Sequence, residues 1–204
     1  DFTQPGFALV RQSGVKSSVE QRQSICSMKE ALSDLYAEDL AENFESAAEK
    51  EKRKLDWFNL NRFDQQNSTK PHRDGAPEES LLILGYEPSV VKSELSMSDY
   101  SKLANAMGMT PNQFLEDHNP MYEEGNELLT PVTTPLKEFN PQYFQLVIVN
   151  NSSAALAFSA SRKKLPKWQG VLHCAKVQKL EGAQHQIGFS CLRNKYSCLG
   201  SSCP

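Results

Sequence analysis

Residues 69–86, TKPHRDGAPEESLLILGY, decide the fold because they join a polar turn to an apolar strand. The run SLLILGY over residues 80–86 is a short apolar segment that follows turn-forming residues, which is typical of a β-strand. His72 and Asp74 lie two positions apart in the turn before it. A loop beside a strand can direct both side chains inward, so the pair is either a solvated turn or two ligands of one metal ion.

Further strands are predicted on both sides of this junction. GFALV is a short apolar run after a proline, and LDWFNLNRF mixes aromatic residues with polar alternation. Two late segments, GVLHCAKVQKL and HQIGFSCL, form a predicted antiparallel pair joined across Glu181 and Gly182. Besides residues 80–86, the predicted strands are residues 6–10, 55–63, 143–152, 170–180 and 185–192.

A long amphipathic helix is predicted over residues 27–55. Apolar residues recur there mostly at steps of three and four among Glu and Lys, without Gly or Pro. They are Leu32, Leu35, Tyr36, Leu40, Phe44 and Ala48. The pattern indicates a helix that packs one face against the outside of the domain.

A helical insertion is predicted at about residues 96–118. Ser98 suits the N-cap of one helix and Gly108 can end it, whereas Thr110 and Pro111 suit the N-cap and first position of a second. The apolar spacing also resembles a DNA-binding helix-turn-helix. Its second helix has no Arg or Lys to contact phosphates, which favours a lid over a site instead of a DNA-binding module.

The size and composition of the chain fit one domain over residues 1–204. Of the 204 residues, 39% are hydrophobic, which is enough for one compact core. Strands that flank a helical pair, with a helix in front, predict an α+β fold with antiparallel sheets. Residues 194–204 form a predicted irregular tail that contains cysteines.

The charge pattern narrows the classes of partner. The 22 basic residues are interspersed among 25 acidic ones and the net charge is −3, so no nucleic acid is expected and a small-molecule substrate fits better. No apolar span of 18 residues is present, which predicts no membrane segment. No feature of the sequence indicates an oligomeric state.

The cysteines point to a reducing compartment. They are five in number and have no CxxC spacing, so we expect reduced thiols and a cytoplasmic location. A zinc or disulfide clip among the three C-terminal cysteines is the alternative.

His173, in the late strand GVLHCAKVQKL, is the candidate for a third metal ligand. A histidine in an apolar strand is, taken alone, more simply a core residue. Two histidines and one carboxylate on a rigid β scaffold, however, leave open positions on Fe(II), where O₂ and a chelating cosubstrate can bind together. The order and spacing of His72, Asp74 and His173 permit such a triad.

Three stretches of the chain carry a family resemblance. WFNLNRFDQQNSTKPHRDG looks like a strand, loop and HxD motif, SLLILGY like the strand after it, and GVLHCAKVQKLEGAQHQIGFSC like a distal-histidine strand and the last strand. Together, over about residues 55–193, they resemble the non-haem Fe(II)/2-oxoglutarate-dependent oxygenases. The resemblance implies a double-stranded β-helix, a jelly roll of the cupin type, to which the long N-terminal helix and the helical insertion are added.

The resemblance also implies a site and a reaction. His72, Asp74 and His173 are the expected Fe(II) ligands, and 2-oxoglutarate is the expected cosubstrate. The implied reaction is an O₂-dependent oxidation of a small organic molecule, such as an amino acid or a specialised metabolite.

The chain departs from this family at the expected anchor for 2-oxoglutarate. Gln184 and Gln186 stand where an Arg and a Ser are expected, and an amide cannot form the bidentate charged pair that Arg forms with a carboxylate. Arg193 is the first substitute because it is the nearest Arg in sequence, and Arg62 and Lys176 follow. An enzyme that uses iron without 2-oxoglutarate, or a cupin-like binding protein without catalysis, is the alternative.

Three further residues are candidates for contact with the substrate or cosubstrate. Tyr86 ends the strand SLLILGY, and Asn150 and Asn151 end another strand near the expected mouth of the jelly roll. Their polar groups could orient a small ligand, although a turn is the simpler interpretation of the asparagines.

Overall fold

The computed structural model describes residues 6–43, 55–59, 67–153, 170–178 and 196–202. The strands are β1 Phe7–Arg11, β2 Leu55–Asn59, β3 Ser80–Tyr86, β4 Ser93–Ser98, β5 Thr133–Pro135, β6 Gln145–Asn150, β7 Leu172–Val177 and β8 Tyr196–Ser202. The helices are α1 Ser18–Asn43, α2 Tyr100–Ala106, α3 Pro111–Asp117 and α4 Glu123–Leu129, and a 3₁₀ turn follows over Thr130–Val132.

The strands form two antiparallel sheets. The larger sheet has the order β1-β6-β3-β8-β2 and the smaller has the order β5-β4-β7. An edge segment of residues 68–72 runs along the outer edge of β7, where the Thr69 N–H donates to Ala175 O (2.8 Å) and His72 and His173 exchange two backbone hydrogen bonds (3.1 Å each). The predicted α+β class with antiparallel sheets is confirmed.

The main core lies between the two sheets. Side chains along a strand alternate between its faces, so every second residue of β3 and β6 meets the smaller sheet. The buried residues of this core are Leu82, Leu84, Tyr86, Leu95, Met97, Phe139, Val147, Val149, Val171 and Ala175. Each larger side chain among them contributes about 1.5–3 kcal/mol on burial, which fixes the two sheets face to face.

Helix α1 covers the other face of the larger sheet. Ile25 packs there against Ile83 of β3 and Leu146 of β6. Both faces of β3 are therefore buried, and this explains why SLLILGY is a continuous apolar run instead of an alternating one.

The bounds of α1 differ from the prediction. The helix begins at Ser18 because Ser17 Oγ accepts from the Glu20 N–H (3.2 Å) and the Glu20 carboxylate accepts from the Lys16 N–H (2.7 Å), an N-terminal capping pattern that the prediction missed. Leu35, predicted on the packed face, is 61% exposed. Residues 44–54 lie outside the described residues.

The helical insertion lies between β4 and β5 and begins later than predicted. Thr110 caps α3 as expected, since its Oγ1 accepts from the Gln113 N–H (3.2 Å) and the Gln113 side chain accepts from the Thr110 N–H (2.9 Å). Ser98 does not cap α2, because it belongs to β4. The cap is Asp99, whose carboxylate accepts a backbone hydrogen bond in the first turn of α2.

The insertion also contains a third helix, α4, that was not predicted. Tyr100, Phe114 and Leu129 bring one residue from each of the three helices into a common cluster with Leu172 of β7. The insertion is thus anchored beside the strand that carries His173. None of the helices in the described ranges is long and apolar enough to cross a membrane.

One prediction about the end of the chain is wrong. Within residues 194–204, predicted to be irregular, the structure has β8, which pairs with β2 on one edge and β3 on the other. Its sequence YSCLGSS has no apolar periodicity, so the strand depends on its two neighbours. The predicted partner of β7, residues 185–192, lies outside the described residues. Within the described part of the chain, β7 pairs with β4 on one edge and with the edge segment on the other.

Candidate metal centre

His72 and His173 face each other across adjacent backbone segments. His72 ends the edge segment, His173 belongs to β7, and their two reciprocal backbone hydrogen bonds make them a directly opposed pair. Opposed residues in an antiparallel pair place their side chains on the same face. The two imidazole rings are accordingly adjacent, with centroids 4.3 Å apart and planes inclined by 49°.

Asp74 completes a compact cluster with the two histidines. Its Oδ1 lies 3.5 Å from Nε2 of His72 and 3.7 Å from Nε2 of His173. One ligand atom from each of the three side chains lies within 4.8 Å of the others. Nitrogen and oxygen ligands bind a metal such as zinc at about 2.0–2.2 Å, so two of them on one ion are about 3–4 Å apart. The cluster therefore has the dimensions of a three-ligand metal site.

The tautomer of His72 suits metal binding. Its Nδ1 lies 2.8 Å from the backbone oxygen of Lys70. A carbonyl oxygen only accepts hydrogen bonds, so Nδ1 is the donor and Nε2 is the ring nitrogen that faces the Asp74 carboxylate. Histidine ligands commonly donate their second ring N–H in this way, which fixes the orientation of the ring.

The three side chains differ in their access to solvent. The side chain of His173 is 3% exposed, whereas those of Asp74 and His72 are 19% and 27% exposed. Strand β7 thus closes one side of the cluster, whereas the side of His72 and Asp74 is partly exposed to solvent.

Asp74 lies in a turn that is bonded to the end of β6. We call residues 73–79 the ligand turn and residues 150–153 the β6 turn. In the β6 turn, the Asn151 side chain is bonded to the backbone of Asp74 and to the hydroxyl of Ser80. The ligand turn therefore docks on β6 and β3 through polar contacts.

Arg73 also attaches the ligand turn to the β6 turn. Its guanidinium donates from Nε to Asn151 O (2.7 Å), from Nη1 to Ser153 Oγ (3.0 Å) and from Nη2 to Pro77 O (2.8 Å). Burial lowers the pKa of Arg73, although the group stays charged at neutral pH. These three bonds replace the hydration that the guanidinium loses.

Arg73 and its contacts were not predicted from the sequence. An arginine between two candidate ligands gives no sign of where its side chain points. The signal that could have been used is the polar run NNSS directly after the apolar strand β6, because buried polar side chains require hydrogen-bond partners.

The remaining predicted site residues are not all brought to the cluster. Tyr86 lies at the opposite end of β3 from Ser80 and packs edge-on against Phe139, with ring centroids 5.0 Å apart. Asn150 ends β6, and its Oδ1 accepts from the Ser152 N–H (3.1 Å). The predictions of substrate contact by Tyr86, Asn150 and Asn151 stay predictions.

The candidates for the 2-oxoglutarate anchor fall on other parts of the chain. Arg62, Gln184 and Arg193 lie outside the described residues. Lys176 is exposed, three positions after His173 on β7, so its side chain points to the opposite face of the strand.

Models of protein families, curated proteins and solved structures were each compared with the chain, and none of the three comparisons gives a match.

Proposed function

We propose that the chain is an Fe(II)-dependent oxygenase that uses 2-oxoglutarate to oxidise a small organic molecule. The observation that carries the proposal is the cluster of His72, Asp74 and His173, which brings two distant segments of the chain together. Two histidines and one carboxylate are the ligand set of non-haem Fe(II) oxygenases, and they leave coordination positions open.

The strand arrangement supports a double-stranded β-helix as the core. β2, β3, β6 and β8 belong to the larger sheet, whereas the edge segment, β4, β5 and β7 belong to the smaller side. Along the chain these eight segments alternate between the sheets except at β4 and β5, which are neighbours. Jelly rolls consist of eight strands in two facing antiparallel sheets. In this proposal β1 and α1 are additions to that core.

The residues of the cluster suit the binding of Fe(II). His72 would hold the ion through Nε2 while its Nδ1 keeps the hydrogen bond to Lys70 O, and the Asp74 carboxylate and His173 would be the other two ligands. When bound, Fe(II) supplies the coordination and activation of O₂. The chain would hold the ion beside the buried His173 of β7, a strand that would exclude water from one side.

The candidates for the 2-oxoglutarate anchor are those predicted from the sequence, and they lie outside the described residues. Arg193 is the first candidate and Arg62 the second, and Gln184 marks the position where the resembled family has its Arg. Lys176 is set aside because its side chain points away from the face that carries His173.

The test is an anaerobic titration of the full chain with Fe(II) and then with 2-oxoglutarate. We expect a visible charge-transfer band when the cosubstrate chelates the bound iron, and loss of the band in His72→Ala. His118→Ala is the matched control, since His118 packs on Phe114 in the helical insertion (centroids 5.3 Å apart) and is not part of the cluster.

Three results would separate the alternatives. Iron binding without the band would remove 2-oxoglutarate from the proposal, and iron binding without O₂ consumption in the presence of candidate substrates would favour a cupin-like binding protein. No iron binding by the unmodified chain would overturn the metal centre itself. Substrates for the last step of the assay are free amino acids and other small metabolites.

A further inference from the structure

Asn151 is a fully buried polar residue that contacts the ligand turn. It is 0% exposed and lies directly after β6. A buried amide needs partners for both its oxygen and its nitrogen, because an unpaired buried polar group costs free energy. The partners of Asn151 therefore indicate what the residue does.

The Asn151 side chain forms two opposed hydrogen bonds with one residue, Asp74. The Asp74 N–H donates to Asn151 Oδ1 (3.2 Å), and Asn151 Nδ2 donates to Asp74 O (3.1 Å). The side-chain amide thus pairs with both backbone polar groups of Asp74, as the backbone of a neighbouring β-strand would.

Only one orientation of the amide satisfies this arrangement. A backbone N–H needs an acceptor and a backbone carbonyl needs a donor, so Oδ1 must face the first and Nδ2 the second. An aspartate at residue 151 would keep the acceptor and lose the donor, and an alanine would lose both. The second hydrogen of Nδ2 goes to Ser80 Oγ (3.1 Å), which leaves no amide donor for a substrate.

The main chain of Asn151 is fixed from the other side. Its carbonyl oxygen accepts from Arg73 Nε (2.7 Å) and from Ser80 Oγ (3.0 Å). The backbone of Asn151 is therefore held by Arg73, directly before Asp74, and by Ser80 at the start of β3. A rigid support of this kind reduces the freedom of the carboxylate ligand before any ion binds.

We propose that Asn151 is a positioning residue for the Asp74 carboxylate. It does not contact the ion, and it holds the backbone of Asp74 so that Oδ1 stays beside Nε2 of His72 and His173. This inference rests on the proposed metal centre. Residues that support metal ligands typically affect metal affinity about 10–100-fold, and we expect an effect in that range.

The test uses Co(II) alone as a spectroscopic probe, titrated into the full chain. We expect Asn151→Ala to weaken Co(II) binding about 10-fold or more. Asn150→Ala is the matched control, because Asn150 is a neighbouring buried asparagine whose Oδ1 bonds within the β6 turn, to the Ser152 N–H. Urea unfolding of both variants measures any general loss of stability. We expect Asn151→Ala and Asn150→Ala to lose similar stability, whereas only Asn151→Ala should lose Co(II) affinity.

A second pair of variants covers the case in which Asn151→Ala does not fold. Asn151→Asp keeps the acceptor for the Asp74 N–H, and we expect it also to lose affinity about 10-fold, whereas Asn150→Asp should lose little. Equal Co(II) affinity of the residue-151 and residue-150 variants would overturn the positioning role alone. Absence of Co(II) and Fe(II) binding by the unmodified chain would overturn the metal centre and this inference with it.

Discussion

His173 and Asp74 reach the same cluster from two regions that are held in different ways. His173 stands on β7, whose backbone is hydrogen-bonded to β4 on one edge and to the edge segment on the other. Asp74 lies in the ligand turn, which is held by the side chains of Asn151 and Arg73. A backbone ladder forms with almost any side chain, whereas a side-chain clamp requires particular residues. The carboxylate ligand should therefore be the more sensitive to changes around it.

The largest effect is expected when a ligand is removed from either region. His173→Ala and Asp74→Ala should each lower Co(II) affinity by more than about 100-fold, which exceeds the loss typical of supporting residues. Their stabilities should differ, because His173 is buried and Asp74 is partly exposed. We expect the free energy of unfolding in urea to fall by about 1–3 kcal/mol for His173→Ala and by about 0.5 kcal/mol for Asp74→Ala.

The control for this pair is His118→Ala, which should keep the Co(II) affinity of the unmodified chain. Wild-type affinity in either ligand variant would remove that residue from the metal centre. Equal stability losses would contradict the contrast between the strand and the turn.

A substitution at Gly170 tests how closely the β6 turn is packed, because Gly170 contacts Ser152 of that turn. A Cβ at residue 170 would lie 1.8 Å from Ser152 O and 3.0 Å from the Tyr100 hydroxyl, so the turn would have to move. We expect Gly170→Ala to lower the free energy of unfolding by about 1–3 kcal/mol in urea titrations. Co(II) binding should weaken as well, because the displaced turn carries Asn151.

Gly75 provides the comparison within the ligand turn itself. A Cβ at residue 75 would meet nothing within 4 Å. Gly75→Ala should therefore change the free energy of unfolding by no more than about 0.5 kcal/mol. A larger loss for Gly75→Ala than for Gly170→Ala would mean that the ligand turn, and not the β6 turn, is the more closely packed of the two.

Tyr100 gives a smaller effect that depends on pH. Its buried hydroxyl donates to Ser152 O (2.7 Å), so Tyr100→Phe should cost about 1 kcal/mol near pH 8. Burial raises the pKa of Tyr100, an effect that the charge of Arg73 partly offsets. Above about pH 10 the unfolded chain ionises this tyrosine while the folded chain does not, so the stabilising contribution of Tyr100 declines as the pH rises.

The measurement is urea unfolding of the unmodified chain and Tyr100→Phe between pH 8 and pH 11. The difference between the two free energies of unfolding should shrink by about 1 kcal/mol over this range. A constant difference would mean that the hydroxyl is not held neutral in the folded chain.

The parts of this molecule that were predictable from sequence are those with a local signal. SLLILGY matches β3 residue for residue, and Thr110 with Pro111 marks the start of α3. The spacing of His72 and Asp74 also identified a compact cluster, once His173 was placed on a late strand. In each case the information lies within a few neighbouring residues.

The parts that were missed depend on residues far apart in the chain. β8 has the weak sequence YSCLGSS and is a strand because β2 and β3 pair with it. The hydrogen bonds between Asn151 and Asp74 join residues 77 positions apart, and the bond between Arg73 and Ser153 joins residues 80 positions apart. The polar run of residues 150–153 indicates that hydrogen-bond partners are needed but not which distant residues supply them, so the contacts of Asn151 and Arg73 were not predicted.

The smallest effect is expected where the edge segment contacts the helical insertion. Lys70 Nζ donates to Met121 O (2.6 Å), and this bond is exposed to solvent. Water competes for both groups, so Lys70→Met should change the free energy of unfolding by no more than about 0.5 kcal/mol and Co(II) affinity by about twofold at most. The backbone oxygen of Lys70 that accepts from His72 is retained in this variant, which separates the side-chain contact from the support of the ligand. A loss of Co(II) affinity as large as that of Asn151→Ala would mean that the helical insertion, and not the β6 turn, holds the ligands in place.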